Sequence, residues 1–156
     1  MKLLRKPFVN AFVILIISLF YGLIFYVTAE NHEFNNMLGY DPNTGHATLQ
    51  SPFWNGWSVF LWEGNHRFIG YGFLAAAVVI VVLSVIRRKN FDEYQTGYLE
   101  KGLIVSGLFM LFLIPFWFLL ILGDPCYIVE YAMLVVVVHW SALLIADLMF
   151  LLLRGA

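Results

Sequence analysis

The sequence predicts an all-α fold: an integral membrane four-helix bundle with both termini in the cytoplasm. Of the 156 residues, 62% are hydrophobic and only 12% are charged, so the chain cannot give a soluble domain of this length a polar surface. Four apolar runs are each about 20 residues or longer, the length that a helix needs to cross a bilayer core about 30 Å thick. The basic residues cluster on one side of this arrangement, which sets its orientation.

The four predicted helices are joined by one sizeable loop and two short connections. They cover residues 7–29, 57–86, 101–123 and 128–153, and the outer loop covers 30–56. The first run follows MKLLRK and ends near VTA, so a signal peptide is the alternative. Its apolar length of about 20 residues favours a retained helix. Pro115 should kink the third helix. These segments leave no room for a soluble domain, so we expect one transmembrane domain over 1–156.

The orientation comes from the distribution of Lys and Arg. Eight of the nine basic residues lie before the first helix, around the connection between the second and third, or after the fourth, and Arg67 is the exception. The opposite side carries acidic residues such as Glu130. By the positive-inside rule, the basic segments are cytoplasmic, which predicts a multi-pass protein of the cell inner membrane. Membrane lipid is the expected environment, and no basic stripe indicates a nucleic-acid partner.

The outer loop is rich in Asn, Gly and Pro, which predicts turns rather than regular structure. A tight turn is expected at DPNTG, residues 41–45. His32 and His46 lie in this loop, but their spacing matches no metal-ligand pattern, so we expect them to be solvated. An aromatic belt at the membrane surface is expected from Trp54, Trp57 and Trp62.

Ionisable residues inside the predicted membrane helices are the first candidates for function, because such groups are costly in a bilayer. They are Glu63, His66, Arg67, His139 and Asp147. On a continuous second helix, positions 63, 66, 67 and 70 share one face. Gly70 would let a flat ligand approach the backbone, and Arg67 would offer its guanidinium to a carboxylate at the water boundary.

Two histidines on different helices, His66 and His139, predict the axial ligands of a heme iron. Aromatic residues make up 18% of the chain and could wall the porphyrin. The depths of the two histidines differ by about 9 Å unless the second helix tilts. The alternative is that His66 anchors the interface and His139 is a packing residue. For Asp147, a proton relay and a hydrogen bond to a neighbouring helix both stay open.

Two stretches resemble the heme A synthase family. EGNHR at 63–67 fits the Glu-x-x-His-Arg pattern that opens the second helix of these enzymes. HWSALLIAD at 139–147 looks like the His-x-x-x-Ala pattern of their fourth helix, with Ala142 one place early. The usual enzyme has two four-helix halves in tandem, so the chain resembles one half over nearly its full length. The family's outer-loop cysteine pair is absent here, and two membrane histidines stand where the full-length enzyme has four.

The resemblance implies oxygen-dependent oxidation of a heme O methyl to a formyl group, which yields heme A. It also implies a role for each candidate: His66 and His139 as iron ligands, Glu63 as the catalytic carboxylate, and Arg67 and Gly70 as part of the heme-binding surface. A homo-oligomer is a further implication, because half-length members of the family are thought to assemble.

Two other function classes stay open. The chain could be a non-catalytic cytochrome b subunit that binds heme B and carries electrons between a quinol pool and a larger respiratory complex. It could also be a heme-free accessory subunit of such a complex. Glu63 favours the synthase, because a simple electron carrier gives this carboxylate no role. Cys126, the single cysteine, excludes a disulfide within the chain and leaves one between chains open.

Overall fold

The structure is a computed structural model that describes residues 6–41, 46–47, 51–86, 93–123 and 125–153. Its helices are α1 (Pro7–Ala29), α2 (His32–Asn36), α3 (Pro52–Trp62), α4 (Arg67–Ile86), α5 (Glu93–Gly123) and α6 (Ile128–Leu153). Two short antiparallel strands, β1 (Tyr40–Asp41) and β2 (His46–Ala47), lie in the loop, and a 3-10 turn (Pro125–Tyr127) leads into α6.

Four of the described helices, α1, α4, α5 and α6, are long and apolar enough to cross a membrane. The mean hydropathies of their apolar windows are 2.5, 2.6, 2.6 and 2.2. Large apolar side chains are exposed on all four, as a lipid-facing surface requires. The predicted all-α membrane bundle is therefore confirmed. The first and fourth helices also begin and end at the predicted residues, 7–29 and 128–153, because in both the apolar run and the helix coincide.

The most closely packed pair of helices is α1 and α4. A Cβ added to Gly70 of α4 would lie 3.1 Å from the Gly22 carbonyl oxygen and 3.1 Å from the Phe25 Cβ, both on α1. Contacts between small residues let membrane helices approach this closely. Helix α1 thus occupies the space over Gly70 where the sequence predicted a flat ligand. The third helix of the core is α6, whose Trp140 Nε1 donates to Ser18 Oγ of α1 at 3.1 Å.

Helix α5 lies at the edge of the bundle. It contacts mainly α6, and no residue of its apolar 18-residue window is buried. It begins at Glu93, about two turns before the predicted start at residue 101, because the polar segment before the membrane is also helical. The helix continues through Pro115.

The second helix, predicted as one element over 57–86, is divided in the structure into α3 and α4. A turn at 63–66 separates them. Gly64 in this turn has a φ of 69°, a conformation that glycine adopts without steric cost. A Cβ on Gly64 would lie 3.0 Å from the Ala29 carbonyl oxygen. The prediction of a continuous helix was therefore wrong, because a glycine turn packs against the end of α1.

The outer loop, predicted to contain turns only, also holds regular structure. It contains α2 and the two strands, and α3 begins within it at Pro52, a residue suited to the first turn of a helix. The tight turn predicted at 41–45 lies largely outside the described residues.

Candidate functional site

His66 is buried in the turn that precedes α4. Its exposed fraction is 0%, and the rings of Phe25 and Phe34 lie 6.1 and 5.3 Å from the imidazole, centroid to centroid. Burial lowers the pKa of His66 to about 4, because the charged form loses its hydration. The imidazole is therefore neutral at pH 7, and it lies inside the protein rather than at an exposed interface.

Thr28 of α1 contacts the imidazole of His66. The Thr28 hydroxyl donates to the Ile24 carbonyl at 2.8 Å and lies 3.1 Å from His66 Nε2. The other ring nitrogen, Nδ1, is buried without a hydrogen-bond partner among the described residues.

The two charged neighbours of His66 bind other polar residues. Glu63 is exposed and accepts a hydrogen bond from Asn65 Nδ2 at 2.7 Å. Arg67 forms an ion pair with Glu30 at 3.4 Å, and both side chains are partly exposed. The turn at 63–66 is the reason, because Glu63 and Arg67 do not share a helix face with His66. The heme-related roles of these residues stay predictions.

His139 lies in the middle of α6 and faces α5. Its ring stacks on Phe109 of α5, with the centroids 6.5 Å apart and the planes 19° from parallel. The next residue, Trp140, faces α1, where its ring lies 5.3 Å from that of Tyr21. Consecutive residues of α6 thus contact different helices.

The described contacts do not bring His66 and His139 together. His66 lies beside Thr28, whereas Trp140, the neighbour of His139, bonds Ser18. Thr28 and Ser18 are ten residues apart on α1, which is about 15 Å along the helix axis. Two axial ligands must reach the same iron atom. The residues present therefore do not fit a heme shared by these two histidines in this arrangement. Among the described residues, no cluster of three or more His, Cys, Asp or Glu could hold a metal ion.

A cavity of about 230 Å³, here named the terminal pocket, lies between α1, α5 and α6 at the end of the bundle where α1 begins and α6 ends. Apolar side chains from all three helices form its walls. Its lining includes Asn10 of α1, Leu99 and Gly102 of α5, and Trp140, Asp147 and Phe150 of α6.

Asp147 is the buried carboxyl group of the terminal pocket, with an exposed fraction of 8%. Its Oδ1 accepts a hydrogen bond from Asn10 Nδ2 of α1 at 2.8 Å. Its Oδ2 is buried and has no hydrogen-bond partner in the part of the chain that the structure describes. The interhelical hydrogen bond considered from the sequence is thus observed. It satisfies only one of the two oxygens, and an unpaired buried oxygen is costly.

The terminal pocket exists because α5 does not pack along α1. Helix α1 packs on α4, and α5 contacts mainly α6, which leaves a gap between α1 and α5. Val13 and Gly102 line this gap and are exposed on the surface of the bundle. The pocket therefore opens onto the side of the bundle between α1 and α5.

Glu130 is a buried polar residue that the sequence analysis assigned only to the acidic side of the membrane. Its Oε1 accepts hydrogen bonds from the Gly39 backbone N–H at 2.7 Å and from Ser58 Oγ at 3.1 Å. Trp57 Nε1 donates to the Glu130 carbonyl at 3.0 Å. Glu130 therefore ties the outer loop and α3 to α6. The available signal was its position inside the apolar run of α6 rather than before it.

The fold and the terminal pocket define a class: a multi-pass helical membrane protein with a buried carboxyl group on a residue that lines a cavity. A scan of protein-family models finds no match to the chain, and searches of curated proteins and of solved structures find none either. The resemblance to heme A synthases stays an interpretation of two short stretches. The terminal pocket and its buried carboxyl group are therefore the basis for a proposed function.

Proposed function

We propose that this protein binds a lipid-soluble small molecule in the terminal pocket, with Asp147 recognising the polar group of that molecule. The observation that carries the proposal is the buried Oδ2 of Asp147, which has no hydrogen-bond partner among the described residues, on a residue that lines a largely apolar cavity. Ligand pockets typically combine apolar walls with a few polar groups that fix orientation. Ionisable residues within membrane helices commonly mark ligand or ion sites.

A purely structural role explains only part of this arrangement. The hydrogen bond from Asn10 needs one acceptor oxygen, which an amide or a hydroxyl at position 147 would also supply. The second oxygen of a carboxyl group adds a desolvation cost and no further contact within the described protein. A ligand that bonds Oδ2 offsets this cost, which is why binding accounts for both oxygens.

Labelling with dicyclohexylcarbodiimide tests the proposal. This lipid-soluble reagent adds a protonated carboxyl group across its C=N bond, with the oxygen on carbon and the proton on nitrogen. Purified protein in lipid nanodiscs would be labelled, and the modified carboxyl mapped by mass spectrometry. We expect modification at Asp147, and we expect the exposed Glu63 to react mainly with a water-soluble carbodiimide.

The chain offers a matched pair of glycine variants as controls. Both Gly102 and Gly107 lie on α5 and have no atom within 4 Å of an added Cβ. Only Gly102 lines the terminal pocket. Gly102→Leu should therefore fill the pocket and suppress the labelling of Asp147, and Gly107→Leu should leave it unchanged. Folded wild-type protein in which Asp147 stays unlabelled would contradict the proposal.

Heme binding is the second candidate function. One observation favours it: Nδ1 of the buried His66 has no hydrogen-bond partner among the described residues, and neutral imidazole nitrogens bind iron. A reduced-minus-oxidised spectrum with pyridine hemochrome measures the heme content and type. Under this candidate, His66→Ala removes stoichiometric heme. Heme O or A supports the synthase, heme B alone supports an electron carrier, and folded heme-free protein rules out the candidate.

A further inference from the structure

We propose that the ligand of the terminal pocket is a planar, carbonyl-bearing lipid of the quinone class, held by a hydrogen bond from Asp147 to a ligand carbonyl oxygen. This inference rests on the proposed function and names the chemical class of the ligand. It follows from the protonation of Asp147, from the walls of the pocket and from the opening between α1 and α5.

The charge of Asp147 depends on whether a counter-ion lies beside it. Among the described residues, no cationic side chain pairs with this carboxyl group, and its single hydrogen bond comes from the neutral amide of Asn10. Lys101, on the α5 side of the pocket, places its amine 6.0 Å over the Tyr98 ring instead. A carboxyl group inside a membrane without a counter-ion is most stable when it is protonated. Within the described structure, the neutral acid is therefore the favoured form of Asp147.

The proton of the neutral acid lies on the oxygen that accepts no hydrogen bond. Oδ1 of Asp147 accepts from Asn10, so the hydroxyl of the acid is at Oδ2, the atom without a partner. A protonated carboxyl has one O–H donor. The O–H group at Oδ2, on a residue that lines the pocket, is thus a donor that requires an acceptor. A carbonyl oxygen supplies that acceptor, whereas an ammonium group has no lone pair and can only donate.

The walls and the volume of the terminal pocket favour a flat ligand. Trp140 and Phe150 line the pocket with aromatic surface. The indole N–H of Trp140 is already donated to Ser18, so this side chain offers the ligand a ring and no polar group. Aromatic rings prefer stacked or edge-on contacts with other flat rings. A cavity of about 230 Å³ suits a ring headgroup rather than a whole lipid, and the gap between α1 and α5 lets a hydrocarbon tail remain in the bilayer.

Protection from carbodiimide labelling tests the chemical class. Wild-type protein would be labelled with dicyclohexylcarbodiimide in the presence of a decyl-substituted benzoquinone, decylbenzene or decylamine. Decylbenzene keeps the ring and tail without carbonyls, and decylamine supplies a cation instead. At about ten times its Kd, the quinone should slow the labelling of Asp147 about tenfold by mass action. The other two compounds should not protect.

Two substitutions at position 147 distinguish recognition of the ligand by a hydrogen-bond donor from recognition by a charge. Asp147→Asn keeps a donor and an acceptor, and Asp147→Leu removes both. The quinone should raise the Tm of the wild type and of Asp147→Asn, but not that of Asp147→Leu. If the Leu variant does not fold, Gly102→Leu replaces it as the variant with a blocked pocket.

The outcomes distinguish this inference from the proposed function. Protection by decylamine would show recognition of a cation and overturn the quinone class. Loss of quinone binding in Asp147→Asn would overturn the role of position 147 as a hydrogen-bond donor to the quinone. Labelling of Asp147 without protection by the quinone would also overturn it, and would leave ester carbonyls of phospholipid as the occupant. Absence of labelling in the folded wild type would overturn the proposed function itself.

Discussion

Helices α4 and α5 have the same mean hydropathy over their apolar windows, 2.6, and both contain glycines, yet they pack in opposite ways. On α4, Gly70 meets the backbone of α1, and an added Cβ would lie 3.1 Å from the Gly22 carbonyl oxygen. On α5, a Cβ added at Gly102 or Gly107 would meet no atom within 4 Å. Composition alone thus does not separate the helix that holds the bundle together from the helix that leaves a cavity.

The two sides of α1 contribute differently: the contact with α4 stabilises the fold, and the gap beside α5 provides the proposed binding site. The contact between α1 and α4 excludes a ligand because no space is left, and its small residues stabilise the pair by close packing. The gap between α1 and α5 costs packing, and it leaves Asp147 on the lining of a cavity. A membrane protein that needed only to be stable would gain by closing this gap.

The largest expected effect is a glycine substitution on the closely packed side. Gly70→Leu forces a side chain into the backbone of α1 and should lower the free energy of unfolding by about 3 kcal/mol, the upper end for overpacking. Gly72→Leu is the control on the same helix, because a Cβ there meets nothing within 4 Å. Reversible unfolding in mixed detergent micelles measures both. Equal stabilities of the two variants would refute the packing difference.

The pH dependence of stability should show the burial of His66. Its pKa is lowered to about 4 in the folded protein, so the unfolded chain binds the proton more tightly. The stability is then complete above the ordinary pKa of about 6.5 and is lost as the pH falls from there toward 4. At pH 5 the loss should be about 2 kcal/mol. His66→Gln should remove most of this dependence, and an unchanged pH profile would mean that His66 is hydrated.

A smaller effect is expected from the hydrogen bond that crosses from α1 to α6. Asn10→Ala removes the donor to Asp147 and should cost about 1 kcal/mol, a usual value for such bonds in membranes. A double-mutant cycle with Asp147→Leu isolates the coupling between the two side chains. A coupling energy near zero would show that the bond does not form in the bilayer.

The sequence predicted the parts of the fold that depend on local composition. The apolar runs of α1 and α6 define these helices at both ends. The turn at 63–66 was missed because its residues also fit the pattern of a helix. Its conformation depends on the contact between Gly64 and Ala29, which lie far apart in the sequence. The outer loop likewise acquires order from Glu130, a partner on α6.

The sequence identified the candidate residues, but not the side chains and the cavity that surround them. His66 and Asp147 stood out as ionisable groups in apolar segments, and both are buried. The sequence could not show that Thr28 of α1 engages His66, or that His139 faces α5. It also could not show the terminal pocket, because a cavity between three helices depends on how α5 packs against the other two.

The most direct test of the central claim is carbodiimide labelling of Asp147 in nanodiscs, compared among the wild type, Gly102→Leu and Gly107→Leu. We expect labelling of the wild type and of Gly107→Leu, and strong suppression in Gly102→Leu, with all three proteins equally stable. Equal labelling of the two glycine variants would show that Asp147 is reached by another route. No labelling in any of the folded proteins would show that the carboxyl group is closed off, and the terminal pocket would not be a binding site.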